Sequence, residues 1–205
     1  MEKIKQIDKI NYDKLMQEEI STFNGTKKTI LLHSCCGPCS SACIERLKDN
    51  FDITVIYYNP NIEPLDEYIH RKNVQIDLLN KLHIKYIDAD YDNDHFHELT
   101  ESLRNEPEGG KRCLVCYSMR LKYTAQKAKE NNFDYFSTTL TISPHKNSDI
   151  INKIGKEIGD NIGVKYLYSD FKKRNGYLRS IELSKEYNLY RQNYCGCLYN
   201  KEIKK

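Results

Sequence analysis

Ile30-Leu-Leu-His-Ser-Cys-Cys-Gly-Pro-Cys-Ser-Ser-Ala-Cys43 is the stretch on which the reading of this chain turns. Its apolar opening has strand character and ends in His33 and Ser34. Two adjacent cysteines and Gly37-Pro38 follow, and a helix is expected from about Cys39, since proline is tolerated in a helix's first turn. An apolar strand that runs into a cysteine-bearing turn and a helix start is a poor way to build a core. It is a good way to hold a metal at the edge of a sheet.

Working outward, the same alternation repeats. Apolar, β-branched runs recur at Thr29–His33, Ile53–Tyr58, Ile84–Asp88, Tyr135–Leu140 and Val164–Tyr168. Helical patterns fill the gaps: Cys39–Asn50, Pro64–Leu82, Asp94–Arg104, Cys113–Asn131, Asp149–Gly159 and Gly176–Tyr187. The expected fold is therefore three-layer α/β, a mostly parallel sheet of about five strands with helices on both faces. Residues 1–28 read as a polar arm on the outside, with an amphipathic helix from Tyr12 to Phe23 closed by Asn24-Gly25. Residues 29–205 read as a single α/β catalytic domain ending in a Cys-x-Cys segment.

Composition narrows the function classes. The 205 residues are 30% charged and 39% apolar, and the longest apolar runs fall far short of the ~20 residues that span a bilayer. Met1–Gln6 mixes both charge signs and has no apolar h-region, against a secretory signal. The expectation is a cytoplasmic protein with no membrane partner. In that compartment thiols stay reduced, so eight cysteines are not a disulfide framework. They cluster instead as Cys35/Cys36/Cys39/Cys43, Cys113/Cys116 and Cys195/Cys197, which points to metal or redox chemistry. A net charge of +3 does not by itself call for nucleic acid. The last third does group Lys172-Lys173-Arg174, Arg179 and Arg191 with Tyr177, Tyr187, Tyr190 and Tyr194, a mixture suited to RNA.

In a parallel α/β sheet, ligands bind outside the carboxyl ends of the strands. Cys35 and Cys36 lie on that rim, and the helix carrying Cys113 and Cys116 starts there. From Asn188 to Cys195 the chain can extend roughly 27 Å, so Leu189–Tyr194 is expected to return as a final strand bearing Cys195-Gly-Cys197. Cys113-x-x-Cys116 at a helix start favours thiolate; with Cys35 and Cys36 it gives four sulfurs, suited to zinc or to an iron–sulfur cluster. Adjacent cysteines are awkward for one tetrahedral ion, which favours a 4Fe–4S cluster. Cys195-Gly-Cys197 reads either as a strained, labile redox pair or as a second metal clamp. Cys39 is near enough to assist, and Cys43 reads as a packed thiol. Ser137–Lys146 leaves its strand rich in hydroxyls, ending in His145 and Lys146, either to hold a polar substrate or to cap the next helix. His70, His83, His95 and His97 read as surface histidines.

Five motifs together resemble the epoxyqueuosine reductases of the QueH family: His33–Cys39, Arg112–Arg120, Thr138–Lys146, Asp170–Gly176 and Leu189–Cys197. The resemblance implies a nucleotide-binding (HUP/PP-loop-like) α/β fold and reduction of epoxyqueuosine to queuosine at the wobble position of tRNA. It implies a 4Fe–4S cluster on Cys35, Cys36, Cys113 and Cys116, and a redox-active Cys195/Cys197 pair. A carboxylate replaces Cys39 in some relatives, which leaves room for an additional iron beside the cluster. The cysteine turn stands where PP-loop enzymes carry a pyrophosphate loop, so ATP use is not expected. Epoxide deoxygenation consumes two electrons and two protons, and the opening alkoxide needs an acid; Asp170, His145, Lys146 and Tyr194 are the candidates. Lys146, Lys172, Lys173, Arg179 and Arg191 are candidate contacts to tRNA phosphates, and the electron donor is left open. The rival readings are a PP-loop-related tRNA sulfur-transfer enzyme and a non-catalytic, zinc-stabilised RNA-binding module.

Overall fold

The computed structural model describes residues 10–199; the expected charge pattern at Met1–Gln6 and the chain's last residues lie outside them. Five strands, β1 (Lys28–His33), β2 (Phe51–Ile56), β3 (Lys85–Ile87), β4 (Tyr135–Thr138) and β5 (Lys165–Tyr166), pair in the order β3-β2-β1-β4-β5. Every pairing is parallel. Seven α-helices surround the sheet among the described residues: α1 (Tyr12–Ser21), α2 (Gly37–Leu47), α3 (Leu65–Lys81), α4 (Asn93–Thr100), α5 (Lys111–Glu130), α6 (Ser148–Ile162) and α7 (Gly176–Glu186).

Strand alternation separates two cores. Ile30 and Leu32 face one, with Ala42, Cys43 and Leu47 of α2, Leu79 of α3 and Leu183 of α7. Leu31 faces the other, with Leu121, Ala125 and Ala128 of α5 and Ile151 of α6. The helix expected within the N-terminal arm is α1, and it is no loose appendage: fully buried Met16, and Phe23 just beyond the helix, belong to the first core. Asp13 pairs with Arg46 of α2 and with Arg174.

Two expectations along the chain are corrected. The run expected as a strand to Leu140 leaves the sheet at Thr138, whose hydroxyl accepts the Leu140 amide at 3.1 Å and starts a 3-10 turn over Thr139–Ile142. More consequentially, Leu189–Tyr194 is not a strand. Its alternating tyrosines spend their side chains on α3: the Tyr190 hydroxyl donates to Glu67 at 3.3 Å and its ring meets His70, while the Arg71 guanidinium sits 4.7 Å over the Tyr194 ring. The segment crosses the carboxyl ends of the strands as irregular chain.

That strand order puts a switch point between β1 and β4: connections from β1 build outward through β2 and β3, and those from β4 run the other way. Parallel sheets open a crevice at such a point. The cysteine turn after β1 and the hydroxyl-rich turn after β4 form its two lips.

Candidate active site and metal centre

His33, the last residue of β1, ties the crevice floor together. It is fully buried, and burial first, then the nearby Arg120 charge, pushes its pKa down to about 4. The neutral ring donates from Nε2 to the Tyr58 carbonyl at 3.0 Å and accepts at Nδ1 from the Thr138 hydroxyl at 2.9 Å. One imidazole thus links the ends of β1, β2 and β4. Ser34 and Ser40 both donate to Gln75 Oε1 of α3, at 2.6 and 2.8 Å. The Asn59 amide donates to the Ser34 carbonyl at 2.8 Å. The turn that carries Cys35 is therefore fixed from three sides.

Cys36 is the N-cap of α2, Pro38 lies in its first turn, and Cys39 follows immediately. A Cβ at Gly37 would press on the Val74 side chain at 3.1 Å, so α2 and α3 pack closely at this point. The sulfurs of Cys35, Cys36 and Cys39 lie within 4.8 Å of one another, with Cys35 and Cys36 4.0 Å apart. A tetrahedral ion with bonds of ~2.3 Å spaces its sulfurs by about 3.8 Å, so this triad has the dimensions of a metal edge. The thiols of Cys36 and Cys39 donate to Cys35 and hold its pKa well below the usual thiol range; Lys146 and Thr139 add to this. Cys36 is correspondingly pushed up to about 12, first by its bond to Cys35, and Cys39 well above its ordinary value. Metal binding to such a triad requires its sulfurs deprotonated and so releases protons.

Cys39, the cysteine given only an assisting role by the sequence, thus joins Cys35 and Cys36 directly. Cys113 and Cys116, both on α5, are not part of that tight group. Cys113 packs in the same cluster as Cys35, and its sulfur accepts the Gly109 amide at 3.2 Å. Cys116 packs with Cys197, Phe96 and Tyr199, and burial pushes Cys116 and Cys197 up to about 11 and about 12. Cys43 is buried in the first core, away from the chemistry.

A cavity of about 370 Å³ opens beside these sulfurs, lined by Cys35, Cys36, Cys39 and Cys195, by His145 and Lys146, and by Arg191, Gln192, Asn193 and Tyr194. The irregular segment after α7 is thus one wall of the cavity. Cys195 faces it while Cys197 turns toward Cys116, and Gly196, at φ +100°, makes the reversal between them. The Gly196 carbonyl accepts the Glu63 amide at 3.0 Å, and the Cys195 carbonyl accepts from Arg71 at 3.3 Å.

The remaining candidates separate. Burial works against charge on Lys146, but the Cys195 and Cys35 sulfurs outweigh it and hold the ammonium protonated. His145 is on the cavity rim, and Arg191 lines the cavity beside Tyr177. Asp170 does not line it: its carboxylate is 3.1 Å from Lys172. Lys172 also donates to the Thr141 carbonyl at 2.9 Å, and Arg179 is held by Glu45 through two bonds of 2.8 Å. Lys173 is exposed. His97, expected at the surface, is half-buried and links Tyr199 to Glu63 at 2.8 and 2.7 Å. The sequence reading passed over Arg71 and Arg120 as individual residues, and both line the cavity. Arg120 lies one helical turn after Cys116, a spacing visible in the sequence.

The family model described as epoxyqueuosine reductase QueH matches residues 30–202. The chain belongs to the QueH family. Among QueH relatives, that of Staphylococcus epidermidis is 44% identical over 201 residues, covering 93% of this chain and 84% of its own length. That of Streptococcus pyogenes is 46% identical over 199 residues, covering 93% and 78%, and that of Thermotoga maritima 37% over 175, covering 84% and 90%. The fold resembles the U34-tRNA thiolase NcsA from Methanococcus maripaludis, solved with its 4Fe-4S cluster (TM-score 0.59, 13% identity, 94% of this chain and 69% of that one). It also resembles a predicted tRNA methyltransferase subunit from Methanocaldococcus jannaschii (TM-score 0.53, 13% identity, 78% and 74%). These two likenesses confirm the expected α/β class. Membership in QueH makes the chain an oxidoreductase of tRNA queuosine biosynthesis, which decides against both the sulfur-transfer and the zinc-module readings.

Proposed function

We propose that the cavity at the β1/β4 switch point takes the epoxyqueuosine nucleotide of a tRNA wobble position and reduces it to queuosine. The observation that carries this reading is a cavity lined together by Cys35, Cys36, Cys39 and Cys195, with Cys113 packed in the same cluster as Cys35 and Cys116 packed with Cys197. The donors fit an iron–sulfur centre: they are soft thiols, and two already carry the hydrogen bonds such sulfurs take, Cys113 from the Gly109 amide and Cys35 from the Thr139 hydroxyl at 3.5 Å. Cys35, Cys36, Cys113 and Cys116 would hold a 4Fe–4S cluster, and Cys39 an additional iron beside it. When bound, the cluster supplies one-electron transfer and a Lewis-acidic iron.

The chain's own groups complete the balance. Opening an epoxide to an alkene and water takes two electrons and two protons. Oxidation of the Cys195 and Cys197 thiols to a disulfide releases two of each. Lys146, held charged against Cys195 and Cys35, is the proton donor to the opening oxygen. His145 is on the rim, and Asp170 serves to hold Lys172. Arg191 at the cavity wall and exposed Lys173 meet tRNA phosphates.

Anaerobic purification followed by turnover of epoxyqueuosine-containing tRNA tests this reading. About four irons per chain, or five with the additional ion, are expected, and Cys35→Ala or Cys116→Ala should lose them. Cys195→Ala should keep its iron and lose turnover. If Cys195→Ala sheds iron instead, that residue is a ligand and the redox pair is refuted. A colourless protein with one bound zinc would end the proposal.

A further inference from the structure

Arg120 carries a charge with no carboxylate to balance it. Its side chain is 2% exposed. Nε donates to the Cys116 carbonyl at 3.1 Å, Nη1 reaches Asn59 Oδ1 at 3.4 Å, and Nη2 is buried without a hydrogen-bond partner. The other buried guanidinium of the cavity, Arg71, has Glu67 at 2.6 Å. Burial opposes the Arg120 charge, and the groups that sustain it are Cys116, Cys195, Cys35 and Tyr117; no Asp or Glu among the described residues is one of them.

An unpaired buried charge costs several kcal/mol, and arginine does not shed its proton to escape that cost. The balancing negative charge must therefore come from the sulfurs and from what they hold. A sulfur-ligated iron centre gains negative charge when it takes an electron, so a fixed cation beside it stabilises the reduced form more than the oxidised one. Placement on the helix that carries Cys113 and Cys116 keeps that cation at a set distance.

We propose that Arg120 is the built-in counter-charge of the cysteine-bound centre and raises its reduction potential. This rests on the reading of the cysteine site as an iron–sulfur centre. On this reading Arg120 is a tuning residue that acts through the centre, although it also lines the cavity.

The test is an anaerobic redox titration, followed by electron paramagnetic resonance, of the wild type, Arg120→Gln, Arg120→Met and Arg120→Lys, with iron counted in each. The neutral variants should need at least a tenfold shift in the reduced-to-oxidised balance, about 59 mV more negative for a one-electron couple. Arg120→Lys should stay near the wild type. If both neutral variants fail to hold iron while Arg120→Lys holds it, the charge requirement is supported by another readout. An unchanged potential in iron-loaded neutral variants overturns the proposal, as does equal loss of iron in all three, which would make shape the requirement. An unchanged potential with weakened tRNA binding would also overturn it, by assigning the guanidinium to an RNA phosphate. A wild type without an iron–sulfur spectrum would defeat the underlying reading itself, an outcome distinct from all of these.

Discussion

At Lys146 the ammonium sits between two demands. Burial works against its charge, yet the Cys195 and Cys35 sulfurs favour it and prevail. A group kept charged until an alkoxide forms nearby is a competent acid, since the alkoxide is the stronger base. Lys146→Gln should lower kcat by about 100-fold or more with iron content unchanged, whereas Lys146→Arg should keep the charge but misplace the proton and recover little. Single-turnover assays with iron quantified in parallel separate these outcomes. Cys39 makes a narrower claim. If it holds an additional iron, Cys39→Ala should lower the iron count by one per chain and leave the cluster spectrum in place, which metal analysis checks. These residues were unevenly legible in the sequence. The cysteines declared themselves by clustering, because thiols seldom gather by accident. Arg71 and Arg120 did not, because an arginine in a helical pattern reads as solvated surface until the opposing wall is known. Asp170 was overvalued for the converse reason: adjacency to a basic run looked like chemistry and is an internal ion pair.

Among the elements, the strand–helix alternation was readable almost throughout, because burial on both faces leaves parallel strands as plain apolar runs. The segment after α7 was not, since Leu189–Tyr194 has strand-like alternation whose side chains answer to α3. Its approach to that region depends on α7, and α7 depends on Gly176. A Cβ at Gly176 would lie 1.9 Å from the Phe171 carbonyl oxygen, a backbone atom that cannot swing away. Gly176→Ala should therefore cost more than about 2 kcal/mol of stability, read as a lower urea midpoint. At the start of the sheet, Asp134 accepts from both the amide and the hydroxyl of Thr29 at 2.9 Å, and those bonds hold its carboxyl below the usual range. A depressed folded-state pKa means the unfolded chain takes up the proton first. The stabilisation is then present at neutral pH and lost as pH falls through the acidic range. Asp134→Ala should be less stable than the wild type near pH 7, with the gap closing toward pH 3; paired denaturation curves measure it.

Across the whole molecule, positive charge is collected at the cavity through Arg71, Arg120, Lys146 and Arg191, against Glu108 as the acidic residue in the lining. The basic residues legible in the sequence divide by what already holds them. Lys172 and Arg179 have internal partners, so their loss should disturb packing more than RNA affinity. Arg191→Ala combined with Lys173→Ala should weaken tRNA binding and reduce the salt slope by about two, measured as affinity across a potassium chloride series. An unchanged slope would assign both to solvent.

One wall of the cavity is made of chain with no ladder of its own. Residues 189–196 are held by side chains and single backbone bonds, such as Glu63 to Gly196 and Arg71 to Cys195, while β1 is paired on both sides. Such a segment opens at a lower free energy than the sheet. Its amides should exchange with deuterium well before those of β1 and β4. The cavity is thus built with one yielding side and one rigid side, and a local opening of the yielding side leaves the rest of the fold intact.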